Sequence, residues 1–521
     1  MSPAFRSFSS LSLLQLSLVL TVFVFSPALR AENGKIRFRI VEDTATADAT
    51  PTPARIHLVD SDKKPVLPDH LLTWDDHFNC DGTAVLDVPA GDYAYTVERG
   101  PEYRRASGTV TVTVGKTSEC EVTLERYIDM AARGWWSGET HIHRPLDDVP
   151  LLMRSEDLHV APVMTMWNKD SLWKTRELPA PGQLVREAEK DRLYHVLAIE
   201  DERSGGALFF LNPRKPVDVS TEQREFPSPL VYMRRALEHG AWIDIEKPFW
   251  WDVPTWAASG EIDSIGIANN HMCRSRMYEN EAWGRPRDES LLPPPRGNGF
   301  HSQEVYYRLL NCGLRIPPSA GSASGVLPNP IGYNRVYVHI DGEFGWDAWW
   351  KNLAAGRSFV TNGPMLLVEA GGKGPGSVFR GDERVEIALD VRVAGNDPIE
   401  SVEVIRDGKV VQRREGGRLD AWLRPDPLVF ERSGWFLVRT IAKVPYTFRF
   451  ASTAPFFVEI GDSKSTIHRA DVDYFLQWID ERIGRIERDE KGKLPDLKQR
   501  ATIVETHREA RRFYEGLLEK S

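Results

Sequence analysis

The stretch WWSGETHIH, residues 135–143, guides the interpretation of the whole chain. Its pattern is that of an extended segment, and it places His141 and His143 two residues apart. In a β-strand, residues i and i+2 project from the same face. One strand can therefore present both imidazoles to a single metal ion, with Ile142 buried behind them. The chain contains 13 histidines, so two of them can fall at this spacing by chance. The pair indicates a metal site only together with residues further along the chain.

Residues 130–364 alternate short apolar runs with longer, partly helical stretches, as in α/β proteins. The predicted strands are 139–143, 160–165, 194–199, 207–211, 242–246, 264–268 and 319–322. The predicted helices are 183–190, 230–239 and 302–311, the last with Ser302 as its N-cap. Seven strands interleaved with helices favour a parallel α/β barrel over an open sheet.

Polar and charged side chains stand at the ends of several predicted strands. They are His141, His143, Glu200, Glu246, Lys247 and His271. In α/β barrels the chemistry takes place at the carboxyl ends of the strands. The sequence therefore predicts a functional site built from these residues.

The flanking segments have different patterns. Residues 33–127 and 365–460 contain short alternating runs separated by turn residues, which predicts a β-sandwich on each side of the barrel. Residues 406–409, Arg-Asp-Gly-Lys, predict a hairpin turn in the second sandwich. Residues 466–521 carry an apolar stripe at helical spacing that is interrupted at 492–495. This predicts a helical hairpin packed on the barrel, with a free interaction arm as the alternative.

Composition and the first residues bear on location and partners. The net charge of −9 gives no basic field, so nucleic acid is not an expected partner. Arg6, the uncharged run 11–25 and the small residues before 31 predict a secretory signal over residues 1–31. We therefore expect a secreted or periplasmic protein, with an uncleaved anchor as the alternative and no later membrane span. Pairing among Cys80, Cys120, Cys273 and Cys312 stays open, although the first two share one predicted sandwich.

Two blocks of this chain resemble one known family. Residues 134–143, GWWSGETHIH, resemble the opening strand of the PHP (polymerase and histidinol phosphatase) superfamily, in particular its exported CehA/McbA-type branch, which includes carbaryl-type esterases. Residues 346–350, WDAWW, and 355–364, AGRSFVTNGP, form a second block that is similar to this branch. The resemblance covers about residues 130–370. It implies a distorted seven-stranded barrel with a site for one to three zinc, iron or manganese ions that hydrolyses esters or phosphoesters.

The chain departs from the family pattern at several metal-ligand positions. Met166-Trp167 stand where the family has Asp-His, Lys247 replaces a histidine, and Ser322-Ala323-Ser324-Gly325 lacks a further carboxylate and imidazole. The resemblance therefore leaves three ligands, His141, His143 and Glu200, and His271 is available to complete the set. We expect one divalent ion, most simply zinc, because catalytic zinc takes three protein ligands and water.

The remaining roles follow from position and charge. Strand alternation predicts that Lys247 faces the metal cavity and supplies the charge of the lost second cation, while Glu246 points away. Glu202 is the predicted general base. Arg274, Arg276 and Asn270 are predicted to bind the substrate, with salt bridges as the alternative for both arginines. The alternative function is a non-catalytic exported module that binds glycan or protein, because several metal ligands of the family are missing.

Overall fold

The computed structural model describes residues 32–43, 50–219, 223–416, 422–465, 467–489 and 492–519. The predicted signal peptide, residues 1–31, lies outside these residues. The described chain combines seven α-helices with 30 strands arranged in sheet-rich units. None of the described helices has both the length and the apolar character that crossing a lipid bilayer requires.

The N-terminal strands form two facing sheets. In chain order they are β1 (Asn33–Glu42), β2 (Ala54–Val59), β3 (Leu72–Trp74), β4 (His77–Cys80), β5 (Thr83–Pro89), β6 (Gly91–Glu98), β7 (Ala106–Val112) and β8 (Thr117–Leu124). One sheet has the order β5-β1-β8 and the other β3-β4-β2-β6-β7. Every second residue of β1 and β5 is buried, and these residues share one apolar core with those of the other sheet. We refer to these strands as the N-terminal module.

The middle of the chain carries strands and helices in alternation. The strands are β9 (Trp135–Gly138), β10 (Val160–Trp167), β11 (Asp170–Ser171), β12 (Val185–Glu189), β13 (Arg192–Arg203), β14 (Gly206–Leu211), β15 (Trp242–Ile245), β16 (Ser264–Ala268), β17 (Pro318–Ala320), β18 (Arg335–His339) and β19 (Ser358–Thr361). The helices are α1 (Val149–Ser155), α2 (Pro229–Glu238), α3 (Val253–Ala258), α4 (Gly297–Asn311) and α5 (Trp346–Ala354).

Seven of these strands pair in a closed ring, in the order β9-β10-β13-β14-β15-β16-β17. The ring closes because Ile142, beyond β9, bridges in parallel both to Val163 in β10 and to Ser324 beyond β17. Six of the seven strands lie within a few residues of their predicted positions, but the prediction of a strand at 139–143 is wrong, because β9 ends at Gly138 and Ile142 alone forms a β-bridge within that stretch. The prediction of all-parallel strands is also wrong at β14, which is antiparallel to both neighbours. Only residues 204–205 separate β13 from β14, and a connection this short can form a hairpin but not a parallel crossover.

Two local predictions for this region are also wrong. Residues 183–190 contain strand β12, antiparallel to β13, because Asp191 in the left-handed region (φ 63°) closes a tight turn between Glu189 and Arg192. Helix α4 begins at Gly297, so Ser302 is not its N-cap. The Ser302 hydroxyl instead donates a hydrogen bond to the carbonyl of Asn298, one turn earlier in the same helix.

The C-terminal strands form a second sheet-rich unit. They are β20 (Met365–Ala370), β21 (Val378–Gly381), β22 (Val385–Ile387), β23 (Leu389–Ala394), β24 (Ile399–Arg406), β25 (Lys409–Glu415), β26 (Trp422–Leu423), β27 (Leu428–Phe430), β28 (Gly434–Ala442), β29 (Phe450–Thr453) and β30 (Phe456–Ile460). The predicted hairpin turn is present between β24 and β25, with Asp407 and Gly408 both at positive φ. Pairing of β19 with β29 joins this unit to the middle of the chain.

The chain ends in two long helices, α6 (Arg469–Arg488) and α7 (Leu497–Leu518), which pack on each other and on the middle of the chain. Trp478 Nε1 donates to the carbonyl of Trp251 over 3.1 Å, and Thr255 Oγ1 lies 2.7 Å from His507 Nδ1. The buried Arg482 guanidinium binds Asp252 and Glu225, each at 2.7 Å. The two helices therefore pack against the middle of the chain, as predicted, and do not form a free arm.

We expect Arg482→Ala to lower the free energy of unfolding by about 3–5 kcal/mol, because it leaves buried Asp252 without its counter-ion. Chemical denaturation followed by circular dichroism measures this change. Arg511→Ala is the matched control on the same hairpin. Its partner Asp480 is half exposed, so the loss there should stay below about 1 kcal/mol. Equal losses in both variants would contradict the role of Arg482.

Candidate metal centre

Three strands position the side chains of the candidate site. Val160 of β10 pairs with Gly138 at the end of β9, and Trp167 at the other end of β10 pairs with Glu200 of β13. Beyond β9 the chain bends at Thr140, and fully buried Ile142 then bridges its neighbours. His141 and His143 flank Ile142 and turn to the other side, as predicted. The segment that follows β9 and the carboxyl half of β13 therefore flank β10 on its two sides.

The ligand atoms of His141, His143 and Glu200 converge. Nε2 of His141 lies 2.9 Å from Nε2 of His143 and 3.5 Å from Oε2 of Glu200. Nε2 of His143 lies 2.9 Å from the same carboxylate oxygen. Ligands at 2.0–2.1 Å from a tetrahedral ion are about 3.3 Å apart. This buried group could hold a metal ion.

A second carboxylate orients the first histidine. Oε1 of Glu246 lies 3.5 Å from Nδ1 of His141, the ring nitrogen remote from the converging atoms. Glu246 also accepts hydrogen bonds from Trp250 Nε1 at 3.0 Å and Asn270 Nδ2 at 2.9 Å, and it forms a short ion pair with Lys247. A carboxylate on the outer nitrogen fixes the tautomer and ring orientation of a metal-binding histidine.

The predicted direction of Glu246 is wrong for a local reason. Alternation of side chains assumed a strand through residue 246, but β15 ends at Ile245. Beyond that residue successive side chains need not point to opposite faces. Glu246 therefore reaches His141, and the Lys247 ammonium lies against Glu246, with its Nζ 4.6 Å from the centroid of the Trp250 ring.

Charge in the cluster favours the ligand forms of its members. Burial lowers the pKa of His141 despite the nearby Glu200 and Glu246 carboxylates, so a neutral imidazole is favoured. Burial alone would raise the pKa of Glu200, but His141 and His143 outweigh it and hold that pKa well below its usual range. A neutral imidazole and an ionised carboxylate are the forms that bind metal.

Glu202 follows Glu200 by two residues in β13. Its Oε2 accepts a hydrogen bond from Trp167 Nε1 at 3.0 Å, and its backbone N–H donates to Asn168 Oδ1 at 2.8 Å. Burial, reinforced by the negative charges of Glu200 and Glu246, raises its pKa to about 7. A carboxylate with this environment is suited to general-base chemistry near neutral pH.

His271 lies outside the converging group, although it is buried. Its Nδ1 is 3.0 Å from the carbonyl oxygen of Asn280, and its ring packs 5.4 Å from that of Phe249. The chain turns back immediately after it, since the N–H of Tyr278 donates to the His271 carbonyl. This turn, which the sequence pattern did not reveal, sets His271 apart from the cluster.

The three predicted substrate-binding residues have different contacts. Asn270 adjoins the cluster through Glu246, and its buried Oδ1 has no hydrogen-bond partner among the described residues. Arg274 instead binds Glu98 of the N-terminal module, with Nε 3.0 Å from Oε2. Arg276 is exposed and donates to the Tyr278 hydroxyl at 3.2 Å. Arg274 therefore forms the salt bridge that was the alternative to substrate binding, whereas the contact of Arg276 is a hydrogen bond to a tyrosine.

Arg274 lines a cavity of about 330 Å³ bounded by the N-terminal module, the middle of the chain and the C-terminal unit. Its wall also includes Arg55, Glu98, Tyr333 and Arg449. No member of the His141 group lines it. The cavity is thus separate from the candidate metal centre.

Sequence reasoning missed two partners of the site. Trp167 was treated only as a lost ligand, but its ring packs 5.0 Å from that of His143 while its N–H holds Glu202. Glu246 was predicted to point away from the cavity, but its carboxylate lies 3.5 Å from His141 Nδ1. The available signal was their position at the ends of β10 and β15, next to the predicted ligands.

Comparison with known proteins adds no functional information. No protein-family model matches the sequence, and no curated protein matches it. Two solved structures show partial similarity. The minor pilin GBS52 of Streptococcus agalactiae shares 14% identity over 19% of this chain and 46% of its own, with a TM-score of 0.16. A leucine-rich repeat protein of Bacteroides thetaiotaomicron shares 15% over 22% and 18%, with a TM-score of 0.11. The chain thus spans less than half of either structure.

We expect His143→Ala to lose metal from this centre, because it removes one of three converging ligands. Elemental analysis of purified protein gives the ions per chain. Lys247→Ala is the control, since Lys247 contacts Glu246 and not the ligand atoms, and it should retain the ion. Equal metal content in wild type and His143→Ala would contradict the assignment.

Proposed function

We propose that this chain is an exported metal-dependent hydrolase of esters or phosphoesters, built on a PHP-type barrel of the CehA/McbA kind. The observation that carries the proposal is the convergence of His141 Nε2, His143 Nε2 and Glu200 Oε2 within 3.5 Å of one another. The closed seven-strand ring and the sequence blocks at 134–143 and 346–364 support it. The signal-like residues 1–31 support export.

The donor set fits a borderline divalent ion. Two imidazoles and one carboxylate are typical ligands of catalytic zinc, and manganese or iron accept the same set. When bound, such an ion supplies Lewis acidity, which lowers the pKa of water and polarises a carbonyl or phosphoryl oxygen. His141, His143 and Glu200 would hold it, and Glu246 would keep the His141 ring in the binding orientation.

Residues of this chain supply the proton transfer. Trp167 holds Oε2 of Glu202, so Oε1 is the oxygen that would accept a proton from the attacking water. Glu202 would return that proton to the leaving group. Lys247 acts as a positioning residue, because its ammonium neutralises Glu246 and thereby keeps that carboxylate against His141. In this arrangement Lys247 adds positive charge beside the site without being a ligand.

A specific contact favours the second candidate, a non-catalytic binding module. Trp167 occupies a position where the resembling family has a metal ligand, and its indole packs against His143. An aromatic ring there fills space beside the cluster. In that case the centre is a structural metal site, and the exported chain binds glycan or protein without turnover.

A panel of small carboxylic and phosphoric esters with added zinc, manganese or iron tests the hydrolase proposal. We expect turnover by the wild type, none above background by His143→Ala, and a loss of about 10²-fold in kcat for Lys247→Ala with its metal retained. Turnover that is equal in wild type and His143→Ala, or absent from both while the metal is bound, would favour the binding module.

We expect Glu202→Gln to lower kcat by about 10²–10⁴-fold, the usual contribution of general-base catalysis, without changing the metal content. Glutamine keeps an oxygen that can accept the Trp167 hydrogen bond, so folding should be preserved. Glu187→Gln is the matched control, because Glu187 is an exposed residue of the neighbouring strand β12. A fully active Glu202→Gln variant would contradict the role of Glu202.

A further inference from the structure

A second set of ligand-type side chains lies in the N-terminal module. Strands β2 and β4 pair in antiparallel register, with Ile56 opposite Phe78. The next residues along, His57 and His77, are therefore cross-strand neighbours on one face, and their ring centroids are 5.2 Å apart. Asp76 immediately precedes His77 in the tight turn between β3 and β4.

These three side chains converge. Oδ1 of Asp76 lies 3.2 Å from Nδ1 of His57 and 3.1 Å from Nδ1 of His77. One ligand atom from each residue falls within 4.8 Å of the other two. The separations between Asp76 and each histidine are close to the value of about 3.3 Å expected around a tetrahedral ion. Both histidines are more than nine-tenths buried, whereas the Asp76 side chain is 33% exposed.

A carboxylate on the far side of His57 completes the pattern. Nε2 of His57 is buried without a hydrogen-bond partner among the described residues, and it lies 3.5 Å from Oε2 of Glu98. If Nδ1 binds a metal, the proton is on Nε2 and points towards Glu98. Metal-binding histidines commonly have such a carboxylate on the outer nitrogen, and Glu246 stands in the same relation to His141.

The surrounding charges permit a cation. Two arginines, Arg55 and Arg274, approach the cluster, but they are accompanied by three carboxylates, Asp76, Glu98 and Glu156. The carboxylates outnumber the arginines by one, so a divalent ion would enter a region with one uncompensated negative charge. The partly exposed Asp76 leaves a route from solvent and room for a water ligand.

We propose that His57, Asp76 and His77 form a second divalent-metal site, separate from the candidate centre in the strand ring. Two imidazoles and a carboxylate select a first-row transition ion, with zinc as the simplest occupant. The site lies where Arg274, from the loop after β16, contacts Asp76 and Glu98. A bound ion would thus stiffen the β3–β4 turn against the middle of the chain.

Zinc titration of chelator-stripped full-length protein tests this site, with His143→Ala as the background that disables the strand-ring centre. We expect this variant to bind one zinc per chain and to melt at a higher temperature when zinc is added, because ligands stabilise the state that binds them. Adding Asp76→Asn should abolish both effects, since it removes the shared carboxylate while keeping the shape of the side chain. His57→Gln is the second variant if Asp76→Asn fails to fold.

Asp75→Asn is the matched control in the same turn. Asp75 has φ 48°, a conformation that asparagine tolerates, and it is not part of the converging group. In the His143→Ala background it should still bind one zinc. Failure of His143→Ala to bind zinc, or undiminished binding after both Asp76→Asn and His57→Gln, would overturn the proposal. None of these measurements uses hydrolysis, so their outcome does not depend on whether the hydrolase proposal is correct.

Discussion

The candidate metal centre depends on the pairing of β10 with two neighbours at once. Its first residue, Val160, is in register with the end of β9, and its last, Trp167, is in register with Glu200 of β13. Because backbone hydrogen bonds fix both registers, the histidines beyond β9 and the carboxylate of β13 have little freedom to separate. A shift of one residue in either pairing would turn the ligands to the opposite face.

Buried carboxylates reinforce this ring below the site. Asp244 of β15 accepts hydrogen bonds from Ser264 of β16 at 2.9 Å and Ser319 of β17 at 2.6 Å, so one side chain ties three strands. Glu139 accepts from Ser322 at 2.6 Å across the point of ring closure. Burial raises the pKa of Glu139 to about 8, so near neutral pH it is largely uncharged and costs less to bury. These contacts hold the scaffold, while His141 and His143 keep the pKa of Glu200 well below its usual range.

Ion pairs also connect the N-terminal module to the strand ring. Arg55 binds Glu156 beside α1 at 2.7 Å, and Arg274 reaches back to Glu98 at 3.0 Å. All four cysteines lie in the described part of the chain and are buried free thiols, so no disulfide contributes to this attachment. Both partners of such a buried ion pair are needed, because removing one leaves the other charge buried and unpaired. The same contacts set the environment of the His57 cluster.

The sequence by itself determined most strands of the ring, the two C-terminal helices and the shared side of His141 and His143, because these follow from periodicity and from residues close together in the chain. Glu200 was expected beside the two histidines from its position at a strand end and from the family resemblance. It did not determine the reversal of β14, the strand at 185–189 or the start of α4, which depend on tight turns and on hydrogen bonds within an element. Nor did it place His271, Glu246 and Arg274. Their positions depend on where strands end and loops turn, and a side chain beyond the last paired residue is directed by its tertiary contacts and not by strand alternation. His57 and His77 are 20 residues apart in sequence and meet only because β2 pairs with β4.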